Sequence, residues 1–181
     1  MKKILIAIIL LGLSNNIYAK NLTVYTYDSF VSEWGPGTII EKIFEKKFNT
    51  DINFIAVDSA ATLLNKIILE GTSTKADIVL GLDMNLLDSA EKTNLFENQK
   101  IKNLDEKLEL PINWMSEKFV PYNYGYFAFV YNNKKFINAP KSMKELINNT
   151  DARIVIQDPR TSTPGLGLLT WMKSIYGEKT W

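Results

Sequence analysis

Residues 22–80 alternate between strand-like and helix-like segments, and this alternation restricts the fold more than any other feature of the chain. β-branched and aromatic residues dominate 22–27, 51–57 and 76–80, which is typical of strands. Apolar residues recur at helical spacing in 38–48 and 63–68. The order strand, helix, strand, helix, strand predicts an α/β fold, with a parallel sheet covered by helices on both faces.

Three loops follow the predicted strands, and each loop contains an aspartate, at Asp28, Asp58 and Asp83. Ligands of open parallel sheets bind in the crevice beyond the carboxyl ends of the strands. Because all three loops lie at that edge of the sheet, we expect the functional site among them.

The remainder of the chain continues with mixed elements. Residues 84–93 are expected to be helical, and 124–131 is the most strand-like stretch of the sequence. A Ser and a Glu three residues apart form a capping box that predicts a short helix over 142–147. A buried strand is expected at 153–157 and an apolar helix at 166–175.

The composition excludes several classes of chemistry. The 181 residues include no His and no Cys, which rules out histidine triads, thiol nucleophiles, disulfides and zinc sites built from these residues. A formal net charge of +1 provides no general attraction to nucleic acid or to an anionic bilayer. With 46% hydrophobic and 23% charged residues, the chain has the composition of an ordinary globular protein.

The N-terminus has the pattern of a secretory signal peptide. Two lysines follow Met1, residues 4–13 are apolar or small, and Ala19 offers a small residue for cleavage. The alternative is a membrane anchor, but the apolar run is ten residues long, and a spanning helix needs about 20. Residues 1–19 are therefore predicted to direct export to the periplasm and to be removed.

Two predicted helix starts offer backbone N–H donors to an anion. Residues 157–165 place Ser162 and Thr163 between a strand and a helix, and Ser59-Ala60 begins an earlier helix. Unpaired N–H groups and the positive end of the helix dipole favour anions at such positions. The alternative is that these hydroxyls only cap their helices, which is compatible with anion binding.

Aromatic residues crowd the first strand and the loop after it. Tyr25 and Tyr27 share one face by alternation, Asp28 follows, and Trp34 lies beside a Gly-Pro-Gly segment. An exposed aromatic ring near a carboxylate suits a flat cation, through stacking and cation–π attraction. Simple packing in the core is the alternative, and it is the better interpretation for Tyr25.

One short motif suggests an exported serine hydrolase. Ser89 and Lys92 have the Ser-x-x-Lys spacing of penicillin-recognising enzymes, but the sequence has neither of the partner motifs Ser-Asp-Asn and Lys-Thr-Gly. A four-residue match on an amphipathic helix is usually a surface feature. Asp58, Asp83 and Asp88 are too scattered to predict a metal or glycosidase site.

Five segments together resemble the periplasmic thiamine-binding proteins that supply thiamine ABC importers. They are 23–30, 34–37, 75–83, 124–131 and 157–167. The resemblance implies an α/β, periplasmic-binding-protein-like (type II) two-lobe flytrap without enzymatic activity or cofactor. Its ligands would be thiamine, thiamine phosphate or thiamine diphosphate, captured by a monomer and passed to the membrane permease of the importer.

The family pattern also implies site residues. The ligand positions of the first lobe fall on Ser59 and Ala60, and those of the second begin at Ser162 and Thr163. The family commonly has an acidic residue and Gly where this chain has Ser59-Ala60, so a contact there would be through backbone. From the strand-end loops we add Tyr27, Asp28, Trp34 and Asp83 to the predicted ligand site.

The expected division is a signal peptide at 1–19, an N-terminal lobe at 20–125, and a crossover with the start of a second lobe at 126–181. Two lobes of about 100–150 residues each would need about 300, so we expect an N-terminal fragment with an incomplete second lobe. Two alternatives remain: the same fold binding ferric iron, a polyamine or an oxyanion, or a serine hydrolase using Ser89 or Ser162.

Overall fold

A three-stranded parallel sheet forms the centre of the fold. The computed structural model describes residues 21–109, 114, 116–149 and 151–180, so the predicted signal peptide lies outside the described residues. The strands are β1 (Leu22–Tyr27), β2 (Ile52–Val57) and β3 (Ile78–Val79), in the order β2-β1-β3. The predicted α/β fold with parallel strands is confirmed.

Seven α-helices accompany the sheet in the described part of the chain, and two 3₁₀ turns at Gly71–Ser73 and Gly177–Thr180 follow two of them. The helices are α1 (Asp28–Val31), α2 (Gly37–Phe48), α3 (Ala60–Glu70), α4 (Leu87–Lys92), α5 (Leu104–Lys107), α6 (Met143–Asn148) and α7 (Thr163–Tyr176). Across the described ranges, none of these helices is long and apolar enough to span a membrane.

The hydrophobic core lies between β1 and α3. Tyr25, Leu63 and Ile67 are buried together, and residues from both flanking strands and from 95–96 pack around them. The Tyr25 hydroxyl donates to the Glu70 carboxylate at 3.4 Å. The expectation that Tyr25 belongs to the core is confirmed.

Three helix starts follow the sequence prediction. The hydroxyl of Ser59 accepts from the Thr62 backbone N–H at 3.1 Å and begins α3. Ser142 does the same for α6, and Ser162 for α7. Each hydroxyl pairs one of the backbone donors that a first helical turn leaves unbonded.

Two predicted strands were wrong, because residues 124–131 and 153–157 have no regular secondary structure. β-branched and aromatic residues form a strand only where a neighbouring strand pairs with their backbone. In the described residues the sheet ends at β2 and β3, so neither stretch has such a neighbour. Their apolar side chains are consequently exposed, Val130 by 96% and Val155 by 91%.

Smaller corrections concern helix bounds. Residues 28–31 form the short helix α1 where a loop was predicted, and the helix predicted over 84–93 is limited to α4. The turn before α4 is held by the Leu86 N–H, which donates to the Asp83 carbonyl at 3.0 Å. Met84 and Asn85 therefore lie in a turn and not in the helix.

We predict that Leu63→Ala lowers the free energy of unfolding by about 2–5 kcal/mol, because it leaves a cavity in the core. Leu63 is 0% exposed. The matched control is Leu69→Ala on the same helix, which is 86% exposed and should change stability by less than about 0.5 kcal/mol. Urea unfolding followed by circular dichroism measures both, and equal losses would contradict this core.

Candidate functional site

A cleft of about 1550 Å³ opens at the carboxyl ends of the strands. It is lined by segments from both halves of the chain, which are Tyr27 and Ser29, 58–60, 76–85, 95–97, 118–127 and 161–164, among others. Small-molecule pockets commonly measure roughly 300–1,000 Å³. The cleft therefore has room for a small organic molecule and for water around it, at the edge where the sequence predicted a site.

Six of the eight predicted ligand residues lie together in this cleft. They are Tyr27, Ser59, Ala60, Asp83, Ser162 and Thr163. Asp28 and Trp34 are not among its lining residues: Asp28 is exposed in the first turn of α1, and Trp34 is 80% exposed. A ligand contact at these two residues stays a prediction.

Asp83 connects the end of β3 with the start of α7. Its Oδ1 accepts from the Asn85 backbone N–H at 2.9 Å, and its Oδ2 accepts from the Thr163 hydroxyl at 2.6 Å. The second bond is short, as expected when a hydroxyl donates to a carboxylate. This contact brings together residues that are 80 positions apart in the sequence.

Tyr27 is fixed by contacts on several sides. Its ring covers Gly81, where an added Cβ would overlap the ring atoms, and it meets Phe30 edge-on with centroids 5.9 Å apart. Its hydroxyl lies 2.8 Å from the Tyr122 hydroxyl. Desolvation raises the pKa of Tyr122, and the hydrogen bond to Tyr27 raises it further.

The starts of α3 and α7 both face the cleft. Ser59 is buried and its hydroxyl caps α3, while Ser162 donates to the Gln157 side-chain carbonyl and accepts from the Gly165 N–H. The capping interpretation is therefore confirmed for both serines. Anion binding remains compatible with it, because a cap satisfies only part of the N–H groups in the first turn.

The loop before α7 holds an ion pair. The Arg160 guanidinium binds the Asp158 carboxylate through Nε and Nη2, with the shortest distance 2.6 Å. These hydrogen bonds lower the pKa of Asp158 from its ordinary value of 3.8 to about 2. Because the Arg160 guanidinium is already paired with the Asp158 carboxylate, its charge is partly neutralised and it attracts an anionic ligand less strongly.

Sequence reasoning missed the tyrosines of the cleft. Tyr122, Tyr124 and Tyr126 all line it, and the rings of Tyr124 and Tyr126 meet at right angles with centroids 6.2 Å apart. Tyr124 and Tyr126 fell within the strand predicted over 124–131, and Tyr122 lies just before it. Their spacing of two residues in an extended segment after Pro121 was the available signal.

The serine hydrolase motif lies on an exposed face of α4. Lys92 is bound to the Asp88 carboxylate at 2.6 Å, and neither Ser89 nor Lys92 is among the residues lining the cleft. Within the described ranges, the structure contains no group of three or more Asp or Glu residues arranged to hold a metal ion.

We predict that Gly81→Ala destabilises the fold and displaces the Tyr27 ring. Gly81 has φ +109°, a conformation that costs about 1–3 kcal/mol for other residues, and the new methyl group would overlap Tyr27. Gly125→Ala is the control, since nothing lies within 4 Å of a Cβ there. Urea unfolding compares the two variants, and equal stability would show that Gly81 is replaceable.

We also predict that Arg160→Gln raises the pKa of Asp158 from about 2 towards 3.8. The folded protein holds this pKa low, so the pair stabilises the fold above about pH 4, and this contribution disappears as the pH falls towards 2. Carboxyl ¹³C NMR titration measures the shift. Arg153→Gln should leave the Asp158 titration unchanged, and a pKa near 3.8 in the unmodified chain would contradict the ion pair.

Comparison with known proteins identifies the family to which the chain belongs. The family model described as bacterial extracellular solute-binding protein matches residues 73–180. The thiamine-binding periplasmic protein of Salmonella typhimurium is 50% identical over 158 residues, which cover 87% of this chain and 48% of the relative. That of Escherichia coli is 49% identical over 164 residues, covering 90% and 50%.

A relative from Haemophilus influenzae, also a thiamine-binding periplasmic protein, is 47% identical over 159 residues that cover 87% of this chain and 47% of the relative. The chain thus spans about half the length of the curated relatives it matches. A solved periplasmic thiamin binding protein superposes with a TM-score of 0.83 at 49% identity, over 88% of this chain and 50% of that one. The chain has this type II periplasmic-binding fold, and it belongs to the bacterial extracellular solute-binding protein family.

Proposed function

We propose that the protein captures thiamine and its phosphate esters in the periplasm and delivers them to the permease of an ABC importer. The observation that carries the proposal is an identity of about half to proteins named thiamine-binding periplasmic proteins, over nine-tenths of this chain. Solutes of one family differ widely while the fold stays the same. Identity this high over most of the chain favours a shared solute.

The chemistry of the cleft supports a flat, cationic heterocycle. The tyrosines at 27, 122, 124 and 126 offer ring faces and hydroxyls. Four acidic residues and one lysine, namely Asp58, Asp77, Asp83, Glu97 and Lys118, are the charged side chains among its described lining residues. Aromatic faces attract a thiazolium ion through cation–π interaction, and an excess of carboxylates increases this attraction.

The two helix starts support a place for the polar end of the ligand. We propose that backbone N–H groups at Ala60 in α3, and the first turn of α7 at Ser162 and Thr163, bind the hydroxyl or phosphate of the ligand. Both helices exceed ten residues, so their dipoles contribute at these ends. The aromatic surface would then bind the cationic ring, and the helix starts would bind the hydroxyl or phosphate at the other end of the same site.

Binding without chemical change is part of the proposal. The family is one of solute-binding proteins, and we propose that this chain needs no cofactor and acts as a monomer. The relatives are periplasmic proteins by name, which agrees with the exported character predicted from residues 1–19. The assigned lobes, 20–125 and 126–181, stay a prediction.

Calorimetric titration of the intact gene product tests the function. We expect saturable binding of thiamine, about tenfold tighter than binding of its pyrimidine half, because the thiazolium adds a cation–π contact of ~1–2 kcal/mol. Tyr27→Leu should remove most of this difference. The matched control is Tyr131→Leu, an exposed tyrosine outside the lining of the cleft, which should leave both affinities unchanged.

Titration of the competing solutes gives the results that would contradict the proposed function. Ferric citrate, putrescine and phosphate are titrated under the same conditions. Tight binding of one of these, with no heat from millimolar thiamine, would overturn the proposed function and favour another solute on the same fold. Equal affinity for thiamine and its pyrimidine half would remove the cation argument.

A further inference from the structure

A hydrogen bond between two side chains crosses the cleft. The Thr163 hydroxyl, in the first turn of α7, donates to Oδ2 of Asp83 in the loop after β3, at 2.6 Å. Both residues line the cleft. Asp83 belongs to the predicted lobe 20–125 and Thr163 to the predicted lobe 126–181, so the bond joins the two proposed lobes directly.

Little packing joins the two sides of the cleft in the described part of the chain. There, α7 has at most isolated contacts with the strands of the sheet and with the helices at 28–107. Each ion pair between described residues joins groups on the same side of residue 125. Two lobes move relative to each other unless the interface between them is large and hydrophobic. A charge-assisted hydrogen bond across the cleft therefore has a strong influence on this motion.

Asp83 is oriented by its own loop. Its Oδ1 accepts from the Asn85 N–H at 2.9 Å, and its backbone carbonyl accepts from the Leu86 N–H at 3.0 Å. These two bonds fix the carboxylate and leave Oδ2 to accept from Thr163. Because the side chain is already ordered, little conformational entropy is lost when the bond across the cleft forms.

Thr163 is supported by close packing on the other side of the cleft. Gly165 lies against the Gln157 backbone, and Gly167 lies against the Phe127 ring, since a Cβ at either glycine would overlap these atoms. Helix α7 is thus fixed to the segments that precede it in the same predicted lobe. The bond to Asp83 consequently links two supports that are each well packed.

We propose that the Asp83–Thr163 bond is a latch that holds the two lobes closed before a solute binds. A bond that forms only in the closed arrangement shifts the equilibrium between open and closed protein towards the closed one. A hydrogen bond to a charged group is strong enough to shift this equilibrium about tenfold. The inference uses the proposed division into two lobes, and it does not depend on which solute the cleft accepts.

Pulsed electron paramagnetic resonance on the intact gene product without solute tests the latch. The 181 residues contain no Cys, and any cysteine elsewhere in the product is replaced by serine. Spin labels at Lys42→Cys on α2 and Lys144→Cys on α6, both exposed, report the distance between the two sides. Thr163→Val removes the hydroxyl and keeps the branched shape. We expect the ratio of closed to open protein to fall about tenfold in Thr163→Val and to be retained in Thr163→Ser.

A second variant tests the partner carboxylate. Asp83→Asn removes the charge and should lower the ratio by a smaller factor, because the amide oxygen still accepts from the Thr163 hydroxyl. Added to Thr163→Val, the same change should have no further effect, since the bond is already absent. Thr170→Val is the matched control. Its hydroxyl donates to the Gly167 carbonyl within α7 at 3.0 Å, and it does not line the cleft.

Each outcome decides the inference. Opening in Thr163→Val, with the closed distance retained in Thr163→Ser and Thr170→Val, supports the latch. A closed distance that persists in folded Thr163→Val overturns it, as does an equal opening in Thr163→Ser or Thr170→Val, or a parent protein that is fully open without solute. Thermal unfolding verifies that each variant is folded.

Two further controls keep the test decisive. If Thr163→Val does not fold, Asp83→Asn is compared with Asp88→Asn, which removes the same charge from a carboxylate that pairs with Lys92 outside the cleft. Opening in the first variant alone supports the latch, and equal distances in both overturn it. Because no solute is present, failure to bind thiamine in a separate titration contradicts the proposed function and leaves the result on the latch unaffected.

Discussion

The packing of α3 against the central strand is the interaction on which the rest of the structure depends. Leu63 and Ile67 bury their side chains on Tyr25, and β1 lies between the other two strands. Because α3 begins at Ala60, three residues after β2 ends at Val57, this packing also places a helix start at the edge of the sheet. The core and one wall of the cleft are therefore set by the same contacts.

The opposite wall is held by polar contacts over long sequence distances. The Asp83–Thr163 bond spans 80 positions and the Tyr27–Tyr122 bond spans 95. The first bond is charge-assisted, and such a bond is stronger than a neutral one. The turn that orients Asp83 thus matters for the cleft, since Asp83 joins the loop after β3 to the first residue of α7.

Local patterns were sufficient for much of the fold. Three strands were predicted at 22–27, 51–57 and 76–80, and the helix starts at Ser59 and Ser162 were predicted from side chains that bond within their own first turn. The strand predicted over 124–131 was wrong because a strand depends on contacts outside its own segment. Strand propensity reflects packing beside a neighbouring strand, and a single sequence does not reveal whether that neighbour is present.

The sequence by itself determined the parallel order of β1, β2 and β3 with α2 and α3 between them, the serine helix caps and the family, because each depends on residues close together in the chain or on motifs read in order. Only the tertiary structure decided which side chains meet in the cleft. It brought Asp83 to Thr163 and Tyr122 to Tyr27, and it left Trp34 exposed and not among the lining residues. Such contacts join distant positions, and their distances are defined only once the chain has closed around its core.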